Sequence, residues 1–212
     1  MNDYSYKLKQ FLCDDLIKIE KPNILEFGVR KGISTKLFLE IAKAKNGKVF
    51  SVDIEDCSSL FTDRNWKFFK TRDDNFDYIK KEIPHELDVI YLDSVHEAKH
   101  VEKIFYNYFS CLKVGGYFII DDISHLPYLK DKERNNFFNE INNQETFEKI
   151  LEIYNSNYNN FDLYFSFISS GLAKIIKKKN TKLNNCKKII SRKKSLKNFA
   201  RRLFYKNFII RG

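Results

Sequence analysis

The chain has 212 residues, of which 43% are hydrophobic and 16% are aromatic, and it contains only three prolines. This length and composition predict a folded globular protein, most simply one domain with a tail, and exclude a disordered or fibrous chain. The four cysteines show no CxxC spacing, which indicates reduced thiols rather than a disulfide framework or structural zinc. Without a signal-peptide pattern or an apolar stretch of membrane-spanning length, we expect a cytoplasmic protein.

Charge is unevenly distributed along the sequence. The formal net charge is +10, yet residues 174–212 contain 15 of the 38 Lys and Arg residues and none of the 28 Asp and Glu residues. The remaining 23 basic and 28 acidic residues give residues 1–173 a net charge of −5. We therefore expect a mildly acidic body followed by a strongly basic tail, and the overall charge says nothing about an active site.

Apolar runs alternate with segments of helical periodicity through most of the chain. Up to the fourth strand we predict helix 4–19, strand 23–27, helix 34–45, strands 49–52 and 66–70, helix 76–82 and strand 88–92. Beyond it we predict helix 97–112, a turn at 113–116, strand 117–120, a helix from about 131 to 153, and a hairpin of residues 161–167 and 172–178. This alternation predicts an α/β protein with a mostly parallel, doubly wound sheet and a closing β-hairpin.

Residues 23–53 have the pattern of the first half of a nucleotide-binding βαβ unit. Gly28 and Gly32 bracket a tight turn between the first strand and the next helix, and Asp53 ends the second strand. Glycine at position 28 allows a positive φ and a close approach of the backbone to a ligand. Because a carboxylate at the end of the second strand can accept two ribose hydroxyls, we predict a cofactor that contains a nucleoside.

Carboxylates occur near the carboxyl ends of all five predicted strands. They are Glu26, Asp53, Asp73 or Asp74, Asp93, and Asp121 with Asp122. Ligands of doubly wound sheets bind outside these strand ends. Single acids are common in loops, but five in register at one edge favour a binding site.

The ordered motifs resemble class I S-adenosylmethionine-dependent methyltransferases. They are ExGxxxGxS from residue 26, an acid at 53, LDSVHEAKH after strand four and LKVGGYFIIDDI at strand five. The similarity covers residues 20–125 and the hairpin, and it is to the small-molecule subgroup that includes sugar and macrolide O-methyltransferases. It implies the Rossmann-like class I methyltransferase fold, and the absence of GxGxxG disfavours a dinucleotide.

By this resemblance, S-adenosylmethionine binds around the glycine turn. The implied cofactor-binding residues are Glu26, Gly28, Gly32, Ser34, Asp53 and Asp74. Glu26 and Gly28 would approach the methionine end, and Asp53 would hold the ribose hydroxyls. Asp74 would face the adenine amino group, with Asp73 as the alternative. A helix N-cap is an equally good interpretation of Asp74.

The resemblance also implies a site that activates the acceptor. Asp93, Asp121 and Asp122 match the acids of metal-dependent members, and three converging carboxylates repel one another unless a cation neutralises them. Oxygen ligands suit Mg²⁺, which would lower the pKa of an acceptor hydroxyl and orient it. The alternative is that one acid contacts the cofactor while the others bind backbone amides.

His96, three residues after Asp93, is the predicted general base, and Asp93 is assigned to catalysis with it. His100 and His125 are further candidates for substrate contact. The chain departs from the subgroup pattern at Ser94 and Val95, where glycine and an acid are usual.

Two further regions surround this site. Within a methyltransferase domain over residues 1–180, residues 124–160 are expected to form an insertion over the acceptor pocket. Its aromatic residues could stack on an acceptor, but we favour a lid helix or a dimer contact for Tyr128, Phe137, Phe138 and Tyr154. Residues 181–212 form a predicted basic amphipathic tail. The tail could bind an anionic membrane surface, nucleic acid or an acidic partner, or act as a disordered solubilising end; we favour the inner membrane surface over nucleic acid.

The sequence therefore predicts an enzyme that methylates a hydroxyl of a small molecule or glycan with S-adenosylmethionine, with Mg²⁺ as a candidate cofactor. One alternative is an RNA- or N-directed methyltransferase that uses the basic tail, although no NPPY-like or Pro-Cys motif is present. The other is a cofactor-binding assembly protein without catalysis. The acceptor and the oligomeric state cannot be read from the sequence.

Overall fold

The computed structural model describes residues 3–125, 137–190, 196–198 and 200–201. Helix α1 runs continuously through an α-helix Asp3–Leu8, a π-helical segment Lys9–Cys13 and a final turn Asp14–Leu16. The other helices are α2 (Ile33–Lys45), α3 (Phe76–Glu82), α4 (Ala98–Tyr108, followed by a 3-10 turn Phe109–Cys111) and α5 (Phe137–Asn157). The strands are β1 (Asn23–Phe27), β2 (Lys48–Asp53), β3 (Trp66–Lys70), β4 (Leu87–Leu92), β5 (Leu112–Asp121), β6 (Phe161–Ser166) and β7 (Leu172–Lys177).

All seven strands form one sheet in the order β3-β2-β1-β4-β5-β7-β6. Strands β1 to β5 pair in parallel, and β7 pairs antiparallel with both β5 and β6. Parallel strands need crossover connections, and α2, α3 and α4 lie in three of them, whereas residues 54–65 join β2 to β3 without a helix. The predicted mostly parallel, doubly wound sheet with a C-terminal hairpin is confirmed.

Each face of the sheet is covered by helices. Ile24 belongs to the core under α1 and α2, whereas Leu25 belongs to the opposite core under α3, α4 and α5. Neighbouring residues of a strand point to opposite faces, so a strand between two helical layers is apolar throughout. This explains why β4 is buried along its whole length.

Strand β5 differs from its prediction. Residues 113–116 were predicted as a turn but belong to the strand, which begins at Leu112. Leu87 pairs with Leu112 while Val89 pairs with Tyr117, so β5 carries extra residues opposite β4. A bulge absorbs them, and Gly115 with φ +83° adopts a conformation that is unfavourable for other residues.

The chain after β7 packs back on the domain. In residues 178–190, Asn184 accepts a hydrogen bond from Tyr106 of α4 at 2.6 Å and donates one to Asn157 of α5 at 2.7 Å. Leu183 and Cys186 pack against the core. The domain boundary predicted at residue 181 therefore falls inside a docked segment, which we call the strap.

Several predictions fall on residues outside those described. They concern the first part of the helix predicted from 131, the aromatic side chains of Tyr128 and Phe137, and nearly all of the basic tail beyond residue 190. The membrane prediction for the tail stays a prediction. Within the described parts of the chain, no helix has the length and apolar character needed to cross a bilayer.

Candidate functional site

Two adjoining clefts open at the carboxyl ends of the strands. The β2-side cleft, of about 320 Å³, is lined by residues that include Val52, Asp53, Ile54, Thr71, Asp73 and Val95. The α1-side cleft, of about 460 Å³, is lined by residues that include Tyr4, Ile33, Ser34, His96, Asp122 and Ser170. Gly28, Arg30, Asp93 and Ser94 line both. A ligand spanning the two clefts would therefore pass over Gly28 and Asp93.

Gly28 is required by the close approach of two strand ends. Its φ is +90°, and a Cβ at this position would lie 2.0 Å from the backbone oxygen of Asp93. Its N–H donates to Val52 at 2.9 Å, while the N–H of Asp93 donates to Phe27 at 2.9 Å. The missing side chain thus makes room for the end of β4 itself, at the floor shared by both clefts.

Asp53 lies in the β2-side cleft and binds the turn after β1. Its carboxylate accepts hydrogen bonds from the N–H groups of Val29 at 2.8 Å, Arg30 at 3.0 Å and Glu55 at 2.9 Å. Burial opposes ionisation, but these backbone donors outweigh it and lower the pKa of Asp53. These hydrogen bonds hold the Asp53 carboxylate at the wall of the β2-side cleft.

Glu26 does not face either cleft, which corrects its predicted place beside the methionine end of a cofactor. The side chain is fully buried and accepts hydrogen bonds from Ser34 at 2.6 Å, Thr35 at 2.8 Å and Ser51 at 2.7 Å. Burial raises its pKa to about 7, against the opposing effect of the three hydroxyls. Glu26 therefore ties the start of α2 to β1 and β2.

Gly32 and Ser34 differ in their positions relative to the clefts. Ser34 lines the α1-side cleft while its hydroxyl donates to Glu26. Gly32, with φ +69°, is packed under Phe61, whose ring a Cβ would approach to 2.7 Å. The role of Gly32 is thus the turn itself.

Asp73, the predicted alternative, lines the β2-side cleft, and Asp74 does not. Ser94 donates to Asp73 Oδ2, and His100 Nε2 lies 2.7 Å from the same oxygen. Burial raises the pKa of Asp73, but the contacts with His100 and Ser94 outweigh burial, and the pKa is lowered. Asp74 instead forms ion pairs with Arg72 at 2.9 Å and Lys103 at 3.0 Å. Asp74 therefore lies outside the cleft, and the N-cap of α3 is Asn75.

His96 faces two carboxylates in the α1-side cleft. Its Nε2 lies 3.6 Å from Asp93 Oδ1 and 3.4 Å from Asp122 Oδ2. One ligand atom from each of the three residues falls within 4.8 Å of the others. Burial and the nearby carboxylate of Asp121 raise the pKa of Asp93 well above its usual range. A cation or a protonated base would relieve that repulsion.

Asp121 does not join this group, which corrects the predicted metal-ligand set. Its carboxylate is buried and forms an ion pair with the fully buried ammonium of Lys7. Tyr91 donates to its second oxygen. Residue 122, with φ +57°, is in the left-handed region, so the consecutive acids point in different directions.

Sequence reasoning did not identify Tyr4 and Lys7 as residues of the site. Tyr4 donates to Asp93 Oδ2 at 2.6 Å, and its hydroxyl lies 2.8 Å from that of Tyr91. Both residues come from α1, whose periodicity indicated only an amphipathic helix. A lysine that alternates with apolar residues on a buried helix face was the available signal, because lysine is almost never fully buried unless it is paired.

The remaining candidates lie outside the α1-side cleft. His100 contacts Asp73, and His125 packs on Phe147 with ring centroids 4.6 Å apart. In the predicted insertion, Tyr154 packs on Phe161 in the core, whereas Phe138 is exposed. The described aromatic residues of α5 therefore support a helix packed on the sheet more than an acceptor platform.

Comparisons with known proteins agree with this architecture. Residues 25–123 match the family model described as a methyltransferase domain. No curated protein matches the sequence significantly. Among solved structures, a Staphylococcus aureus protein provisionally assigned as a caffeoyl-CoA O-methyltransferase has a TM-score of 0.61 at 18% identity, covering 84% of this chain and 84% of that chain.

Two other solved structures were determined with S-adenosylhomocysteine (SAH) bound. Podospora anserina methyltransferase PaMTH1 has a TM-score of 0.60 at 16% identity, covering 84% of this chain and 86% of its own. MycE of the mycinamycin biosynthetic pathway, in complex with Mg, SAH and mycinamycin VI, has a TM-score of 0.57 at 17% identity. The match covers 84% of this chain but 49% of MycE, so this chain spans about half of MycE's length.

The fold is that of the class I methyltransferases. Residues 25–123 match the model of a methyltransferase domain, and the resemblance drawn from the motifs is confirmed at the level of fold and domain similarity.

Proposed function

We propose that this protein transfers a methyl group from S-adenosylmethionine to a hydroxyl of a small molecule or glycan. The observation that carries the proposal is the junction of the two clefts at Gly28, Asp93 and Ser94. One cleft has the acids suited to a nucleoside, and the other has a histidine between two carboxylates. A donor and an acceptor bound in them would meet at the end of β4.

The β2-side cleft supports the choice of cofactor. Both Asp53 and Asp73 line this cleft. Asp53 would contact the ribose hydroxyls, and Asp73 would accept a hydrogen bond from the adenine amino group. Ile54 and Val95 are exposed apolar side chains lining the same cleft, and they offer surfaces for the faces of a purine. SAH is bound in PaMTH1 and MycE, which share this fold.

His96 is the proposed general base. S-Adenosylmethionine supplies an electrophilic methyl group on a sulfonium when it is bound. As the oxygen–carbon bond forms and the sulfur–carbon bond breaks, the hydroxyl proton passes to His96 Nε2. Asp93 and Asp122 stabilise the resulting imidazolium, since their oxygens lie 3.6 and 3.4 Å from that nitrogen. Rate acceleration comes mainly from positioning and from exclusion of water.

A divalent cation fits the residues at the same place. Mg²⁺ is usually held by one or two carboxylates and several waters, and Asp93 and Asp122 meet that description. A bound cation would supply charge that lowers the pKa of an acceptor hydroxyl. MycE, which shares the fold, holds Mg. Asp121 is not among the proposed metal ligands, because its carboxylate forms an ion pair with Lys7.

Calorimetry with SAH tests whether the protein binds the cofactor. Substitutions of the neighbouring residues Asp73 and Asp74 provide a test variant and its matched control. Asp73→Asn should weaken SAH binding by about tenfold or more, because a carboxylate acceptor for the adenine is lost. Asp74→Asn should leave the affinity unchanged, since Asp74 pairs with Arg72 and Lys103 outside the cleft. Absence of SAH binding to the folded wild-type protein would overturn the proposal.

The acceptor class is tested by transfer of a labelled methyl group. Wild type and His96→Gln are compared on a panel of small glycosides, phenols and RNA, with and without Mg²⁺. Methylation of a hydroxyl compound that His96→Gln slows by about 10²-fold or more would support the proposed base. Transfer to RNA alone would show the rival, RNA-directed activity.

A further inference from the structure

Lys7 occupies an unusual position for a lysine. Its side chain is fully buried between α1 and the end of β5. The ammonium forms an ion pair with Asp121 Oδ1, donates to Ser170 at 2.7 Å and lies 4.8 Å from the ring centre of Tyr4. A buried ammonium is costly unless it is paired and hydrogen-bonded. All of these partners lie beside the α1-side cleft, which we call the acceptor end of the site.

The contacts of Lys7 account for the direction of Asp121. Oδ1 of Asp121 also accepts from the N–H of Asp122 at 2.6 Å, and Oδ2 accepts from Tyr91. Both oxygens are therefore engaged from inside the protein. The left-handed conformation of Asp122, with φ +57°, turns the next carboxylate toward the cleft.

A second chain of contacts leads from this pair to the cleft. The hydroxyl of Tyr91 lies 2.8 Å from that of Tyr4, and Tyr4 donates to Asp93 Oδ2 at 2.6 Å. Asp93 Oδ1 remains on the side of His96. The helix that carries Lys7 thus also sets which oxygen of Asp93 is presented to a ligand.

The charges at this end of the site differ from those of three free carboxylates. Asp93, Asp121 and Asp122 carry three negative charges when ionised, and Lys7 offsets one. The remaining charge of these four groups would be balanced by one divalent cation. An internal ammonium and a bound metal ion both neutralise carboxylates, so the lysine reduces the need for the metal.

We propose that Lys7 is a positioning residue that holds Asp121 out of the cation site and thereby sets the affinity of the acceptor end for divalent metal. The ligands left to a metal are Asp93 and Asp122. The inference rests on the cation part of the proposed function, but it concerns residues of α1 that the methyltransferase motifs do not include.

Mn²⁺ binding, followed by electron paramagnetic resonance of the free ion at pH 8, tests the inference on the full chain. In Lys7→Met, Asp121 is released, and Mn²⁺ affinity should rise by about tenfold or more because an unneutralised carboxylate attracts the cation. The double variant Lys7→Met/Asp121→Asn restores the wild-type charge balance and should return to within about threefold of the wild-type affinity. If wild type binds no Mn²⁺, Lys7→Met must gain binding while the double variant does not.

Lys174→Met is the matched control, because Lys174 ties α1 to β7 through an ion pair with Asp15 at 2.9 Å, away from the clefts. It should lower the melting temperature without changing Mn²⁺ affinity.

Lys7 would be merely structural if Lys7→Met behaved like Lys174→Met, and that result overturns the proposal. Where the wild type binds Mn²⁺, loss of that binding in the double variant would also overturn the proposal, because Asp121 would then be a ligand. If Lys7→Met fails to fold, the double variant can still overturn the proposal in this way, and SAH binding separates either result from failure of the methyltransferase proposal.

Discussion

Individual carboxylates at the strand ends have different properties because their hydrogen-bond partners differ. Glu26 is fully buried beneath three hydroxyl groups, and burial raises its pKa to about 7. Asp53 is partly exposed and, despite the opposing effect of burial, hydrogen bonds from backbone N–H groups lower its pKa. The first therefore supports the fold, whereas the second keeps its charge in the cleft.

The raised pKa of Glu26 predicts a specific pH dependence of stability. Between its unfolded pKa of about 4.3 and about 7, the folded state binds a proton that the unfolded state has released, so this group's contribution falls as pH rises. Glu26→Gln removes that titration. The free energy of unfolding of the variant, relative to wild type, should rise between pH 5 and 7 by at most about 1.4 kcal/mol per unit.

Chemical denaturation at several pH values measures this difference. Glu20→Gln, at a side chain that is 76% exposed, serves as the control for removal of a glutamate charge. Parallel stability curves for wild type and Glu26→Gln would contradict the prediction.

At the scale of elements, the turn after β1 depends on the approach of β4. The ends of the two strands are joined through Gly28, whose position leaves no space for a Cβ beside Asp93. Elements from both ends of the chain also converge here, since Lys7 of α1 contacts Ser170 in the hairpin turn. Both clefts are thus formed by the packing of several elements.

Alanine substitutions at two glycines that have similar φ but different surroundings distinguish the cost of backbone strain from the cost of steric overlap. Gly28→Ala should destabilise the protein by roughly 2–4 kcal/mol and abolish SAH binding, because its Cβ would overlap the Asp93 backbone. Gly115→Ala, where no atom lies within 4 Å of the added Cβ, should cost about 1 kcal/mol from backbone strain alone and preserve SAH binding. Thermal unfolding and calorimetry measure both effects, and equal losses in the two variants would contradict this explanation.

At the scale of the whole molecule, an acidic body is followed by a basic tail, and the strap fixes where that tail begins. Residues 178–190 are held on α4 and α5 through Asn184, and the N–H of Ile189 donates to Glu152 at 3.2 Å. A truncation after Ile190 therefore removes basic sequence without removing the docked strap.

We expect the full chain to bind vesicles that contain anionic lipid, and the protein truncated after Ile190 to bind them far less. Each Lys or Arg near such a surface contributes about 1 kcal/mol, and salt screens the attraction within about 10 Å at 0.1 M ionic strength. Vesicle co-sedimentation at low and high salt measures the difference. Neutral vesicles are the control, and equal partitioning of both proteins on anionic vesicles would rule out this role of the tail.

Much of the fold could be predicted from the sequence because its signals are local. The limits of β1, β3 and α3 match the predicted segments, since apolar runs and helical spacing act over neighbouring residues. The bulge of β5 was missed because residues 113–116 carry a turn-like pair of glycines. Leu112 and Tyr117 on either side of them pair with β4, which places these residues within the strand as a bulge. The glycine turn and the acids at strand ends could likewise be located from the order of strands.

The sequence by itself determined the order of the elements, the class I methyltransferase pattern and the set of acids near the strand ends. The tertiary structure alone decided which of them face the clefts: Glu26 and Asp121 turn inward, whereas Asp73, Asp93 and Asp122 line the clefts. The reason is that the direction of a carboxylate depends on partners far away in the chain. Asp121 is held by Lys7, 114 residues earlier, and no local pattern encodes that contact.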